Sequence, residues 1–290
     1  MAGKLTYADL YQWGCEQLSA AGIDEAKTDA RLLLEWCCGT DRNTLLAHGE
    51  RGISEEEYNQ YTDCIARRKQ RIPLQHITGE QDFMGLTYMV NCNVLIPRQD
   101  TEVLVEEVMR HLHDGMRILD MCTGSGCILL SLLRYSNDCT GVGVDISEDA
   151  LHVARQNTGK ILGAQVIEQA KVAWRQGNLF DGFDPEDKFD IIVSNPPYIK
   201  TSVIESLMPE VKEHEPLLAL DGQEDGLFFY RRIIAQAGKF LTGGGMLFFE
   251  IGYDQGEEVR LLMEEAGYID IEVIKDFAGL DRVVFGGSHV

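Results

Sequence analysis

The chain has 290 residues, of which 44% are hydrophobic and 25% charged, and it carries a formal net charge of −21. That length points to one large domain with a smaller companion, and no apolar run approaches the roughly 20 residues needed to span a membrane. So acidic a chain argues against bare duplex DNA as its principal substrate, because a DNA-binding surface must present cations to the phosphates.

The opening stretch MAGKLTYADLYQWG lacks the charged-then-apolar pattern of a signal peptide, which points to the cytoplasm. Eight cysteines are scattered without a C-x-x-C pair, so reduced structural thiols are expected and no metal site. Residues 1–72 read as a helical module. Ala26, Ala30, Leu33, Leu34 and Cys37 recur at helical spacing ahead of Gly39, a C-cap candidate. Ser54 to Glu57 forms a capping box that opens a second helix, running to about Arg71. That helix ends in ARRKQR, residues 66–71, read as cations favourably placed at a helix C-terminus.

Residues 73–98 change to a β-branched and aromatic pattern with Gly85 at a turn, predicting a β-hairpin linker, and a helix follows from about Asp100. Over 99–290, short apolar runs (MRILDMC, GVGVDIS, AKVAWRQGNL, FDIIVSN, GMLFFEIG) alternate with helical stretches. Such alternation predicts an α/β fold with a mostly parallel sheet covered on both faces. Two closing strand-like runs joined by AGLD predict an antiparallel last strand.

Two stretches carry chemistry. The first strand of the sheet runs into DMCTGSGCILLSLL, where Gly124 and Gly126 permit a tight turn and close approach of a ligand to the backbone. Asp145, at the end of the next strand, stands where a carboxylate accepts hydrogen bonds from ribose hydroxyls. Leu129 occupies the place of the third glycine of a dinucleotide fingerprint, so S-adenosylmethionine is a better candidate than NAD. The second stretch is SNPPYIK, leaving the fourth strand beside the glycine loop. The lone pair of an amide or exocyclic amine nitrogen is delocalised. The side-chain carbonyl of Asn195 and the backbone carbonyl of Pro196 can accept its two N–H bonds, hold it in line with a methyl donor and favour localisation of the lone pair. The prolines stiffen the loop, and Tyr198 offers a ring against which a planar amide or base packs.

With RIPLQHITGEQDFMGL, VLIPRQDTEVLVE, LDMCTGSGCILLSL, VDIS, SNPPYI, HEPLLALDGQEDGL, EIG and DFAGLDRVV, nearly the whole chain resembles the HemK/PrmC protein-glutamine methyltransferases. The resemblance implies a Rossmann-like methyltransferase sheet over 99–290. It implies S-adenosylmethionine as cofactor, with S-adenosylhomocysteine as product. The implied substrate is the GGQ-motif glutamine of class I peptide chain release factors, docked with help from residues 1–72. It implies a cofactor site of Thr123, Gly124, Ser125, Gly126, Cys127, Asp145, Asn178, Leu179 and Asn195, and a substrate site of Asn195, Pro196, Pro197 and Tyr198. A monomer without direct DNA contact is expected. Gln99 stands where the family usually has proline, and Asn178 where it usually has an acid. Asn178 could still meet the adenine amino group through its side-chain carbonyl. NPPY is shared with adenine-amino methyltransferases of DNA or RNA, the competing enzymatic reading. A non-catalytic binding module is the third, opposed by the intact glycines, Asp145 and NPPY.

Overall fold

A computed structural model describes residues 5–163 and 171–288. The ends of the expected 1–72 and 99–290 segments, and Ala170 at the head of the AKVAWRQGNL run, lie outside the described residues. The chain divides into two compact units, one of Met1–Gly79 with Met208–His214, the other of Glu80–Leu207 with Glu215–Val290.

Among its described residues the first unit holds five helices before Gly79: α1 (Tyr7–Ala20), α2 (Ala26–Cys38), α3 (Arg42–Ala47), α4 (Glu55–Lys69) and α5 (Leu74–Thr78). Thr6 and Asp9 form a capping box on α1, and Ser54 and Glu57 form one on α4, each satisfying amides that the first turn leaves unpaired. Gly39 ends α2 in the left-handed conformation at φ 57°. The core joins Leu10, Leu18, Ala30, Leu33, Leu34, Tyr61 and Ile65. The basic run is not a free patch. Arg68 is buried, pairs with Asp29 at 2.7 Å and reaches Glu210 at 2.9 Å, while Arg71 meets Glu210 at 3.0 Å. Residues 74–78 are helical where a hairpin linker beginning at 73 was expected, and the unit boundary falls at Gly79. Pro73 precedes this turn and Gly79, at φ 78°, ends it.

In the second unit β1 (Glu80–Phe83) and β2 (Leu86–Met89) form an antiparallel hairpin. Among the described residues a seven-stranded sheet follows. It comprises β3 (Arg117–Met121), β4 (Thr140–Asp145), β5 (Val172–Gln176), β6 (Phe189–Ser194), β7 (Leu241–Glu250), β8 (Ile269–Lys275) and β9 (Asp281–Gly287). Its order is β5-β4-β3-β6-β7-β9-β8, parallel from β5 to β7, with β9 antiparallel to both of its neighbours. The order reverses between β4-β3 and β6, which is where open α/β sheets leave a crevice at their carboxyl edge.

The period-2 alternation of the strands fills two cores. Leu119, Ile192, Leu247 and Phe249 face the helices Phe228–Ala237 and Gly256–Glu265. Ile118, Ile191, Val193 and Phe248 face α6 (Gln99–His111) and α7 (Cys127–Tyr135). Helix α8 (Glu148–Leu162) follows β4 and starts from a Ser147 cap. Close packing explains the TGVGVD composition of β4. A Cβ on Gly141 would stand 2.4 Å from Leu129, and one on Gly143 would stand 2.2 Å from the Trp174 ring.

Gly143→Ala should therefore force Trp174 and Thr123 apart and destabilise the fold by about 1–3 kcal/mol, the usual scale of overpacking. The denaturant midpoint checks this. A wild-type midpoint would mean that the indole moves aside freely.

Candidate active site

The site begins where β3 ends. After Met121 the backbone turns through positive φ at Cys122 (60°), Gly124 (54°) and Gly126 (78°) before α7 starts at Cys127. Only glycine takes such angles without strain, so the bulkier Cys122 marks a conformation imposed by its surroundings. The Thr123 hydroxyl donates to Asp120 at 2.5 Å and its amide to the Val144 carbonyl at 3.0 Å, tying the loop to both strands. Asp145 lies across from it and accepts from the amides of Gly124 and Ser147, each at 2.9 Å. Burial raises the Asp145 carboxyl above its ordinary range, and these amides pull it back.

These elements border a cavity of about 280 Å³. Thr123, Gly124, Ser125, Cys127 and Asp145 line it from one side, Asn178 and Leu179 from another, and Asn195 and Pro197 from the end of β6. Three expected site residues do not border it: Gly126, Pro196 and Tyr198. Gly126 sits behind the loop, where a Cβ would press on Trp174 at 2.8 Å. Trp174 itself faces the core and donates to Thr158 at 3.0 Å. The side-chain carbonyl of Asn178 accepts from Arg232 at 3.0 Å, so one of the lone pairs expected for adenine is already engaged. Leu179 holds a positive φ of 60° while its side chain joins the core.

At the end of β6 the prolines stop the ladder, and Asn195 turns its Nδ2 to donate to the Thr101 hydroxyl at 3.3 Å. Its Oδ1 and the Pro196 carbonyl have no donor among the described residues. Tyr198 is fixed at both ends. Its hydroxyl donates to Glu250 at 3.2 Å, and its carbonyl accepts from Gln255 at 3.1 Å. Burial pushes the carboxyls of Asp120 and Glu250 up to about 7 each; Thr123 partly offsets this at Asp120, and Thr101, Arg282 and Tyr198 do so at Glu250. Burial also pushes the Cys127 thiol up to about 12 and the Cys122 thiol well above its usual range, which leaves both protonated and poor nucleophiles.

The residues fit a nucleoside cofactor. The Ser125 hydroxyl is buried on the cavity wall without a partner, Gly124 leaves the backbone bare where a Cβ would meet open space, and the Asp145 carboxylate faces the same cavity. Among the described residues no cluster of His, Cys, Asp or Glu could hold a metal ion, and no helix is long and apolar enough to cross a membrane.

Residues 9–79 match the PrmC N-terminal domain family and residues 112–260 a methyltransferase domain family. The chain is 42% identical over 259 residues to a release factor glutamine methyltransferase of Clostridium acetobutylicum, covering 88% of this chain and 89% of that protein. It is 40% identical to one of Caulobacter vibrioides over 97% and 96% of the two chains. The chain belongs to the release factor glutamine methyltransferase family. A methyltransferase from Pyrococcus furiosus shares the fold, with a TM-score of 0.54 at 17% identity, covering 78% of this chain and all of that one.

Several cavity residues of this family member escaped the sequence reading. Val94, Leu95 and Pro97 come from the segment before α6, and Leu218 and Ala219 from HEPLLALDG, stretches that carried the resemblance without assigned roles. Phe228, Phe229 and Arg232 start a helix whose sequence reads as ordinary amphipathic packing, so nothing in it signalled the site. Arg98 finds Glu215 at 2.5 Å, and Gln99 occupies the first turn of α6, a place where proline also fits.

A buried carboxyl raised to about 7 holds its proton more tightly in the folded chain. The stability it contributes is complete below the unfolded carboxylate range and is lost as pH rises to about 7. The thermal midpoint should thus fall between about pH 4 and about pH 7, and fall less in Asp120→Asn and Glu250→Gln. Equal slopes in all three proteins would contradict the assignment.

Proposed function

We propose that this chain transfers a methyl group from S-adenosylmethionine to the side-chain amide nitrogen of the GGQ-motif glutamine in class I peptide chain release factors, supporting translation termination. The observation that carries the reading is the end of β6. Asn195 borders the cavity with its Nδ2 spent on Thr101, so its Oδ1 is the atom left to accept.

When bound, S-adenosylmethionine supplies an electrophilic methyl group on a sulfonium centre. Asp145 would hold the ribose, with the Thr123–Cys127 loop along the methionine end and Asn178 and Leu179 beside the adenine. The substrate amide would donate its two N–H bonds to Asn195 Oδ1 and the Pro196 carbonyl, which fixes the nitrogen and favours localisation of its lone pair as it is alkylated. Pro197 stiffens the turn. Tyr198 packs the planar amide with its ring while its hydroxyl stays anchored on Glu250. No strong base is required, because alkylated amide nitrogen loses its proton readily.

We further propose that the chain works as a monomer in the cytoplasm, with the helical module of residues 1–72 helping to dock the protein substrate. Eight free cysteines suit a reducing compartment. Trp36 and Leu46 are exposed apolar side chains of the helical unit and suit docking. Leu46→Glu should raise KM for intact release factor severalfold and leave methylation of a short GGQ peptide unchanged, whereas equal effects on both substrates would remove the docking role. The −21 charge and the internal pairing of Arg68 and Arg71 weigh against an adenine-amino methyltransferase of DNA or RNA.

S-adenosylhomocysteine at a hundredfold excess over its dissociation constant should stabilise the protein by about 2.7 kcal/mol. Asp145→Ala should lose most of that gain. Asn195→Ala should keep it and yet lower single-turnover methylation about a hundredfold, the scale of one preorganised polar contact. A larger melting shift with NAD, or wild-type turnover in Asn195→Ala, would overturn the reading.

A further inference from the structure

Glu250 is the last residue of β7 and is only 1% exposed. Nothing in methyl transfer to an amide calls for a buried carboxylate there, and desolvating one is costly. The register explains where it stands. Phe249 pairs with Ser194, so Glu250 comes level with Asn195, the first residue past the end of the neighbouring strand. Its Oε1 accepts from Tyr198 at 3.2 Å, and its Oε2 is buried without a hydrogen bond of good geometry. Thr101, itself 2% exposed, lies close enough to the carboxylate to favour its charged form.

The polarity of these groups has a consequence. A carboxylate only accepts, whereas a hydroxyl accepts and donates. The Thr101 oxygen accepts from Asn195, and the Glu250 carboxylate, which Thr101 favours in its charged form, is the acceptor on hand for its proton. With Glu250 charged, as it is above about pH 7, Thr101 turns its proton toward it and its lone pairs toward Asn195. Asn195 is then obliged to offer Nδ2 to Thr101, which aims Oδ1 the other way. A neutral amide at position 250 breaks that logic, since it can donate to Thr101, let Thr101 donate to Asn195 Oδ1, and turn the amide round.

We propose that Glu250 is a positioning residue, acting through Thr101 to set which end of the Asn195 amide faces the substrate nitrogen and through Tyr198 to hold the loop in place. The proposal rests on the reading of Asn195 as the substrate acceptor.

The test is a double-mutant cycle on the full chain at about pH 8, where Glu250 is charged, with single-turnover methylation of release factor as the readout and S-adenosylhomocysteine affinity and thermal midpoint measured alongside. Glu250→Gln should lower turnover at least tenfold, with KM for release factor and affinity for S-adenosylhomocysteine changed less than about threefold. In the Asn195→Ala background the same substitution should cost less than about threefold, because its effect passes through the missing amide. Thr101→Val, which keeps the shape and loses the hydroxyl, should reproduce the loss, and Thr101→Ser should restore activity. Full turnover in Glu250→Gln, losses that simply multiply in the double variant, or no recovery with Thr101→Ser would each overturn the positioning role. If Asn195→Ala alone retained wild-type turnover, the reading of Asn195 itself would fail, which separates the two claims.

Discussion

Met121, the last residue of β3, pairs with Val144 on one side and Ser194 on the other. Because these strands are parallel, they deliver the glycine loop, Asp145 and Asn195 to one edge at one height. That alignment is the constraint on which the site depends. Each side chain is short, and a shift of one residue in register would turn it to the opposite face of the sheet. Continuous apolar runs buried on both faces hold the register, and glycines in β4 let α7 and Trp174 close against it. The proline pair then stops β6 where an acceptor is needed.

Electrostatically the site is dominated by carboxyls taken out of water rather than by bases or cations. Asp120 braces the glycine loop through Thr123, Asp145 accepts one amide from each of two turns and keeps lone pairs free toward the cavity, and Glu250 underlies the NPPY loop. Each is raised by burial, so each opposes stability as pH rises through its titration. Such a cost is typical of groups kept for orientation. It suits chemistry in which the nitrogen must be held and its lone pair aimed, and in which proton transfer is easy.

Much of this was legible in the residues. Apolar runs separated by amphipathic helices gave the parallel sheet, the antiparallel closing strand followed from the AGLD turn, and Ser54–Glu57 and Gly39 marked helix ends because capping is local chemistry. Nine of the twelve residues named for the site border the cavity. What was not legible depended on tertiary placement. Tyr198 reads as a ring against which a planar amide packs, and nothing in the sequence signals that its hydroxyl is tied inward to Glu250. Arg68 reads as one of several cations placed at a helix C-terminus but is buried between Asp29 and Glu210, which lie 39 residues before it and 142 after it. Arg232 is one basic residue of an amphipathic helix until the fold brings it to Asn178. Pro73–Gly79 carries β-branched residues but closes as a single helical turn, its ends set by proline and glycine.

The central claim is that the cavity and the Asn195 acceptor together methylate one glutamine nitrogen. Tandem mass spectrometry of release factor incubated with the protein and S-adenosylmethionine tests it most directly. The account predicts a single added methyl group, located on the side chain of the GGQ glutamine and absent without the cofactor. Methyl groups on nucleic acid in the same mixture with none on that glutamine would contradict it.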